Sequence, residues 1–359
     1  MHKLKAIIKN ILTEVLFRIQ KNKKVVAKKP ADVHLSVTED CCLRCKMCNI
    51  WKMKEKQKNL DYETAKKIID KLKNWLGNNF QLTFAGGEPF MNTEFIKIIQ
   101  YAKGKGLRTS TNSNGYLVNE RLAQKIADSG LSRIFFSVDG EEKEHNFVRG
   151  REDSFQKVIR AIANLQKAKG KNKQPEIFIN CVISNNNIHK IKKMVTLAKK
   201  LMVSGINFQV LMPNFASNFK SDWYKTNWLW PKKQQAIKKT INELIELKNE
   251  YPNFILNAVR DFHNFEKYLT DPKTYQETEK CFVGFNNFMI DTVGNMRLCY
   301  EMGTIGNILK QNPDKLWINK PAKIHREKIV KCQKPCKLLP CNDVRIMSLL
   351  KNLLPHINQ

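Results

Sequence analysis

Acidic residues are scarce in this chain. Its 359 residues carry 33 Asp and Glu against 63 Lys and Arg, a formal net charge of +30. Such an excess favours anionic partners: nucleic acid, an acidic membrane surface or a phosphorylated substrate. The lysines arrive together with many Asn and Ile, which share AT-rich codons, so genome composition is a second source of the charge. No basic run is interleaved with aromatics and none of the standard nucleic-acid signatures is present, which ranks nucleic acid low. No stretch is long and apolar enough to span a bilayer. A secretory signal is absent too, because Lys9, Glu14 and Arg18 interrupt the first apolar run. There is no internal repeat and no low-complexity tract.

Cysteine, by contrast, is plentiful and clustered. Of ten cysteines, Cys41, Cys45 and Cys48 form C-x3-C-x2-C directly after an alternating Val33, Leu35, Val37 pattern that reads as a strand. Three thiolates serve three irons of a four-iron cubane and leave the fourth open. An open position separates a catalytic metal site from a closed structural one. Zinc is the other reading, but it usually takes four ligands in two close pairs, and no second pair lies nearby. Adjacent Cys42 cannot readily complete the set, because neighbouring side chains diverge. Clustered cysteines in a chain of this length argue for a reducing cytoplasm rather than a disulfide framework.

The motifs that follow keep a fixed phase. A helix is expected over 61–76, with Ile68, Ile69, Leu72 and Leu76 on one face. Strand 80–84 runs into Gly86, Gly87, Glu88 and Pro89. Strand 107–111 ends in Asn112 to Gly115, and strand 132–137 in Val138, Asp139 and Gly140. Two more strands, 177–183 and 206–211, flank a helix over 189–202. Six strands with five intervening helices give an α/β fold, a partial (β/α)6 TIM-like barrel open on one side. Its motifs all sit at the C-terminal strand ends, where such barrels build active sites.

These residues resemble the radical S-adenosylmethionine (SAM) superfamily. The resemblance implies a [4Fe-4S] cluster on Cys41, Cys45 and Cys48 whose free iron is chelated by the amino and carboxyl groups of SAM. One electron then cleaves SAM to a 5′-deoxyadenosyl radical that abstracts hydrogen from a substrate. Gly86, Gly87 and Glu88 match the motif that holds the SAM amino group. Asn112, Ser137 and Asp139 are short polar groups suited to the ribose. Arg149 matches an arginine that meets the SAM carboxylate, with a surface charge as its other reading. Met47 stands where relatives carry an aromatic, and its backbone is expected at the adenine. The resemblance also implies a reducing partner such as flavodoxin or ferredoxin.

A second cysteine set follows: Cys281, Cys299 at the end of a hairpin over 288–299, then Cys332, Cys336 and Cys341. This is similar to the SPASM and twitch extensions of radical SAM enzymes. It implies one auxiliary [4Fe-4S] cluster on Cys281, Cys299 and two of the last three. A four-cysteine zinc site tolerates the same spacing. Cys181, on a strand, reads as a small buried apolar residue.

The expected layout is a basic amphipathic helix over 1–30, the barrel over 31–215, linker and helices over 216–274, the auxiliary domain over 275–345 and a tail over 346–359. The first helix carries Leu4, Ile7, Ile8, Ile11, Leu12, Val15, Leu16 and Ile19. It suits either packing across the barrel or peripheral contact with a membrane. Ile346 to Leu354 has the same ambiguity. Phe215, Phe219, Trp223, Tyr224, Trp228 and Trp230 read first as packed connector and second as a substrate lid. The stretch before Cys41 is too short for a separate leader-binding domain, so a peptide substrate is expected to need a partner protein or no leader. Substrates span peptides and proteins, small molecules and glycans. No general base is named, since Asp291 reads as a turn residue. The competing class is a non-catalytic iron–sulfur or zinc protein in electron transfer or nucleic-acid binding.

Overall fold

The computed structural model describes residues 29–213, 222–278, 281–334 and 336. The amphipathic N-terminal helix, Phe215, Phe219, Cys341 and the tail therefore lie outside the described residues.

Strand β1 (Asp32–Thr38) opens the sheet, and its alternation works as expected: Val33, Leu35 and Val37 are fully buried on one face. Helix α1 (Tyr62–Leu76) follows the cysteine loop. Asp61 caps it by accepting from the Thr64 amide, and Ala65, Ile68, Ile69, Leu72 and Leu76 turn inward. Then come β2 (Gln81–Gly86), α2 (Phe95–Gly104), β3 (Arg108–Ser113), α3 (Glu120–Asp128) and β4 (Arg133–Ser137). Two helices, α4 (Glu142–Arg149) and α5 (Ser154–Lys169), lead to β5 (Glu176–Ile183), and α6 (Ile191–Lys200) leads to β6 (Gly205–Val210). The six strands pair in parallel in the order β6-β5-β4-β3-β2-β1. The apolar strand faces meet the helices in one continuous core. Each fully buried Leu or Ile there is worth roughly 1.5–3 kcal/mol over exposure.

The inner face is polar. Asn180 donates to Asn112 at 2.8 Å and Asn207 donates to Asn180 at 2.9 Å, an amide ladder spanning β3, β5 and β6. Lower down, His34 meets Asp32 at 3.0 Å, Thr83 meets Ser110 at 3.0 Å, and Arg133 donates to Gln81 at 2.6 Å.

Past the barrel come the single turn α7 (Trp223–Thr226), then α8 (Gln234–Glu250), α9 (Val259–Thr270) and α10 (Pro272–Thr278). The expected hairpin is β7 (Asn287–Ile290) with β8 (Asn295–Arg297), antiparallel, and β9 (Gly306–Asn307) extends it. β7 also joins the barrel sheet, parallel to β1 with Val33 opposite Phe288. A nine-stranded sheet results. Helices α11 (Pro313–Ile318) and α12 (Lys320–Val330) close the described extension. Lys71 on α1 donates to the Ile308 and Leu309 carbonyls, and Trp75 packs on Phe288 and Trp317. Among the described residues, no helix is long and apolar enough to cross a membrane.

Candidate active site

The loop from Thr38 to Leu60 carries the three spaced thiols, and it is tied down from several directions. The Gly87 and Glu88 amides donate to the Thr38 and Asp40 carbonyls at 2.9 and 2.7 Å. The Lys46 amide donates to Val148, and the Trp51 indole to the Cys45 carbonyl at 3.1 Å. Asn92, buried, donates to the carbonyls of Val37 and Leu60 at either end of the loop.

This seating explains the paired glycines. A Cβ on Gly86 would lie 2.0 Å from the Thr38 carbonyl oxygen, and one on Gly87 would lie 2.0 Å from that of Asp40. The close approach is thus made by the protein's own cysteine loop, where the sequence suggests a ligand. Gly150, at the end of α4, serves the same loop from the other side: its Cβ would meet the Arg44 carbonyl at 2.5 Å.

Around the thiols stand groups from three strand ends. Asn114, just past β3, directs its side-chain amide at the Cys41 and Cys42 sulfurs, 3.8 and 3.5 Å away. Asn112, expected at the ribose, meets Asn180 inside the barrel. Asn114 lies two residues further on, beyond the end of β3, where its amide reaches the cysteine loop. Ser137 shares the inner face of the barrel, in register with Asn180. Arg149 donates to the Cys45 sulfur at 3.8 Å and pairs with Asp139 at 2.7 Å. Asp139 also accepts from the Val182 amide at 2.9 Å. The two residues expected at ribose and carboxylate thus hold each other. Nε of Arg149 stays buried without a hydrogen-bond partner.

Glu88 is 1% exposed and accepts from Ser113 Oγ (2.8 Å), the Asn114 amide (2.7 Å) and the Phe90 amide (3.4 Å). Burial pushes its carboxyl up to about 7, against the pull of those donors. Burial likewise pushes Cys41 up to about 12 and raises Cys45, the latter opposed by Arg149. Metal binding at these thiols must therefore release protons. An open cleft of about 770 Å³, lined by Cys41, Cys42, Arg44, Trp51, Gly150 and Arg151, adjoins them. Met47 is half-buried against the core.

In the extension, Cys281 is 8% exposed. Cys299 accepts from the Glu301 amide and Cys332 from the Lys334 amide, each at 3.4 Å. A Lys334–Glu301 ion pair ties the two segments together. Burial raises Cys299, and nearby Cys332 adds to it. Cys336 lies close enough to Tyr268 to add to the effect of burial on that phenol. Cys181 is fully buried on β5. Asp291 accepts from the amides of Val293 and Asn295, the turn role read for it. Trp223 and Tyr224 pack on buried Trp230, and Trp228 is exposed.

A profile described as Radical SAM superfamily matches residues 35–198, the strands and loops just described. Over those residues the chain is similar to the radical SAM superfamily. The AdoMet-dependent heme synthase of Nitratidesulfovibrio vulgaris is 30% identical over 179 residues, 49% of this chain and 47% of that protein. The chain thus spans about half the length of the curated relatives it matches, 47% and 44% for two heme synthases. Among solved structures, native anSMEcpe with bound AdoMet superposes with a TM-score of 0.63 at 19% identity, covering 84% of this chain and 83% of that one. Streptococcus suis SuiB bound to precursor peptide SuiA gives 0.63 at 13% identity, covering 86% and 69%. At those identities the likeness is one of fold.

The radical SAM family brings a [4Fe-4S] cluster and SAM, and the donor set fits the cluster. Among the described residues, no three His, Cys, Asp or Glu side chains converge on one ion position. A cubane instead takes one thiolate per iron, and Cys41, Cys45 and Cys48 offer three on a loop fixed at both ends.

Proposed function

We propose that this protein is a radical SAM enzyme that abstracts hydrogen from a neutral, polar substrate held in the barrel. The observation that carries this reading is the loop of Cys41, Cys45 and Cys48, seated by Gly86–Glu88 at the C-terminal end of a parallel barrel. When bound, the cluster and SAM supply one-electron cleavage to a 5′-deoxyadenosyl radical.

The chain's own groups do the holding. Cys41, Cys45 and Cys48 are the ligands. Glu88, ionised, offers the charge that an ammonium group requires, while Asn114 and Arg149 place hydrogen-bond donors at the sulfurs of Cys41 and Cys45. Such donors stabilise negative charge on sulfur. Gly86 and Gly87 act through the loop they seat. Met47, Asn112, Ser137 and Asp139 complete the cofactor-binding set, with Asp139 working through Arg149. Cys281, Cys299 and two of Cys332, Cys336 and Cys341 supply an auxiliary cluster in the extension.

The amides of Asn112, Asn180 and Asn207 favour a substrate rich in amides or hydroxyls, a peptide or glycan. SuiB, a structural relative, is seen with a precursor peptide.

The test is anaerobic reconstitution, reduction with dithionite in the presence of SAM, and mass detection of 5′-deoxyadenosine. Product from the wild type and none from Cys45→Ala supports the reading. No product from protein with a full iron complement and bound SAM, across peptide and glycan candidates, would defeat it.

A further inference from the structure

Arg326, on α12, is the bulkiest side chain that the described fold buries completely, at 1% exposure. Its Nε donates to the Gly284 carbonyl and its Nη1 to the Trp317 carbonyl, each at 2.7 Å. The Trp317 ring centre lies 4.3 Å from the guanidinium carbon. Nη2 is buried with no hydrogen-bond partner. With no described carboxylate to oppose it, burial pushes this guanidinium down to about 9. The guanidinium of Arg149, by contrast, has Asp139 at 2.7 Å.

A charge taken out of water without a counter-charge is costly. Two backbone carbonyls would be served as well by a neutral amide such as Gln, at a lower cost of burial. A buried arginine in this state therefore calls for a negative group nearby.

Its surroundings say which group. Gly284 stands three positions after Cys281, so no more than about 11 Å of chain separates them. A Cβ on Gly284 would lie 3.0 Å from Leu298 Cβ and 3.0 Å from Ile329 Cδ1. Leu298 immediately precedes Cys299, and the Ile329 carbonyl accepts from the Cys332 amide at 3.1 Å. The carbonyl that Arg326 holds thus sits where the segments bearing Cys281, Cys299 and Cys332 meet. A four-iron cluster on four thiolates carries a net charge of minus two, and minus three once reduced.

We propose that Arg326 is the buried counter-charge of the auxiliary cluster and holds its reduction potential up. It touches no ligand in the structure and acts through its charge, which favours the reduced, more negative cluster. At an effective dielectric of about 20 and a separation of about 10 Å, one unit charge changes the reduced-to-oxidised ratio by about 10-fold. This rests on the reading of the extension as an iron–sulfur site, and the test separates the two.

The full chain is reconstituted anaerobically and titrated with dithionite against redox mediators. The auxiliary signal is followed by EPR and assigned in Cys41→Ala/Cys45→Ala/Cys48→Ala. Arg326→Gln and Arg326→Met remove the charge, and the first keeps an amide donor for the carbonyls. Arg326→Lys keeps the charge, and Lys323→Met removes an exposed one from the same helix. In both neutral variants the reduced-to-oxidised ratio at a given potential should fall about 10-fold, a midpoint about 59 mV more negative for one electron. Arg326→Lys and Lys323→Met should stay within about 2-fold of the wild type, since an exposed charge is screened. Neutral variants that lose their iron, beside a lysine variant that keeps it, would also support the counter-charge.

The sign guards against a merely structural role. Loosened packing admits water, which favours the more highly charged reduced cluster and raises the potential. A rise in the neutral variants would overturn the proposal. So would an unchanged midpoint, or an equal shift or an equal loss of iron in the neutral and lysine variants. If the triple-alanine chain takes up no iron, the auxiliary-cluster reading itself fails and this proposal with it. Iron in that chain with a midpoint indifferent to Arg326 leaves the reading standing and sinks only the proposal.

Discussion

Gln57 and Asp291 are 234 positions apart in the chain, yet the Gln57 amide donates to the Asp291 carboxylate at 3.1 Å. The other half of the same amide accepts from Thr292 Oγ at 3.0 Å, and the Gln57 backbone amide donates to Glu39. One side chain thus fastens the end of the cysteine loop to the hairpin that leads to Cys299. Replacing it with leucine removes two hydrogen bonds worth about 0.5–1.5 kcal/mol each. The expected result is a thermal midpoint lower by a few degrees with iron content retained, read by anaerobic calorimetry. An unchanged midpoint would mean that the loop and hairpin hold together without this clasp.

Gly87→Ala should cost the cluster itself. Its Cβ would collide with the backbone of the thiol loop at Asp40, and backbone cannot swing aside as a flexible side chain can. Iron content after reconstitution without SAM is the readout. If the glycine served only a ligand's approach, iron would load normally and SAM binding alone would suffer.

Asp139→Asn leaves the Arg149 guanidinium, itself mostly buried, without its charge partner. Breaking such a pair costs about 3–5 kcal/mol. Denaturant titration of the metal-free chain should show a midpoint shift of that order, and Asp139→Asn/Arg149→Met should recover part of it. A loss below about 1 kcal/mol would show that water compensates the charge.

Glu88 predicts a pH dependence. Its folded pKa is raised by burial from 4.5 to about 7. Between those values the folded chain holds a proton that the unfolded chain has lost, so stability falls as pH rises through that window and levels off above about 7. Glu88→Gln should flatten this slope in the metal-free protein. In cluster-loaded protein, SAM affinity should rise from about pH 6 to about pH 8 as the carboxylate forms, and Glu88→Gln should remove that rise. Isothermal titration at several pH values checks the affinity, and denaturant titration the slope.

Cys45→Ala should lose iron from the barrel site, and Cys181→Ala should not. Cys181 is sealed on β5, where burial, first among the causes, raises its thiol far above the usual range. Iron and sulfide assays on the two variants separate a ligand from a core residue.

Local information sufficed for much of this protein. The period-two burial of Val33, Leu35 and Val37, the capped amphipathic run after Asp61, and the thiol spacing from Cys41 to Cys48 each depend only on neighbours in the chain. Strand and helix periods follow from backbone geometry, so they are legible in a single sequence. What lay between elements was not. Nothing local says that Asn287–Ile290 pairs with β1, because a short apolar strand can join any exposed edge. That Asn114, just past β3, brings its amide to the thiols depends on how the fold sets that strand end beside the cysteine loop. The Arg149–Asp139 pair, the Glu88 contacts and the Gln57 clasp likewise depend on which loop ends the barrel brings together. The elements, the ligand loop and the chemistry open to those residue types were therefore written in the order of the chain. Which polar groups face each other around the thiols was left to the fold, because those contacts join residues far apart in the chain.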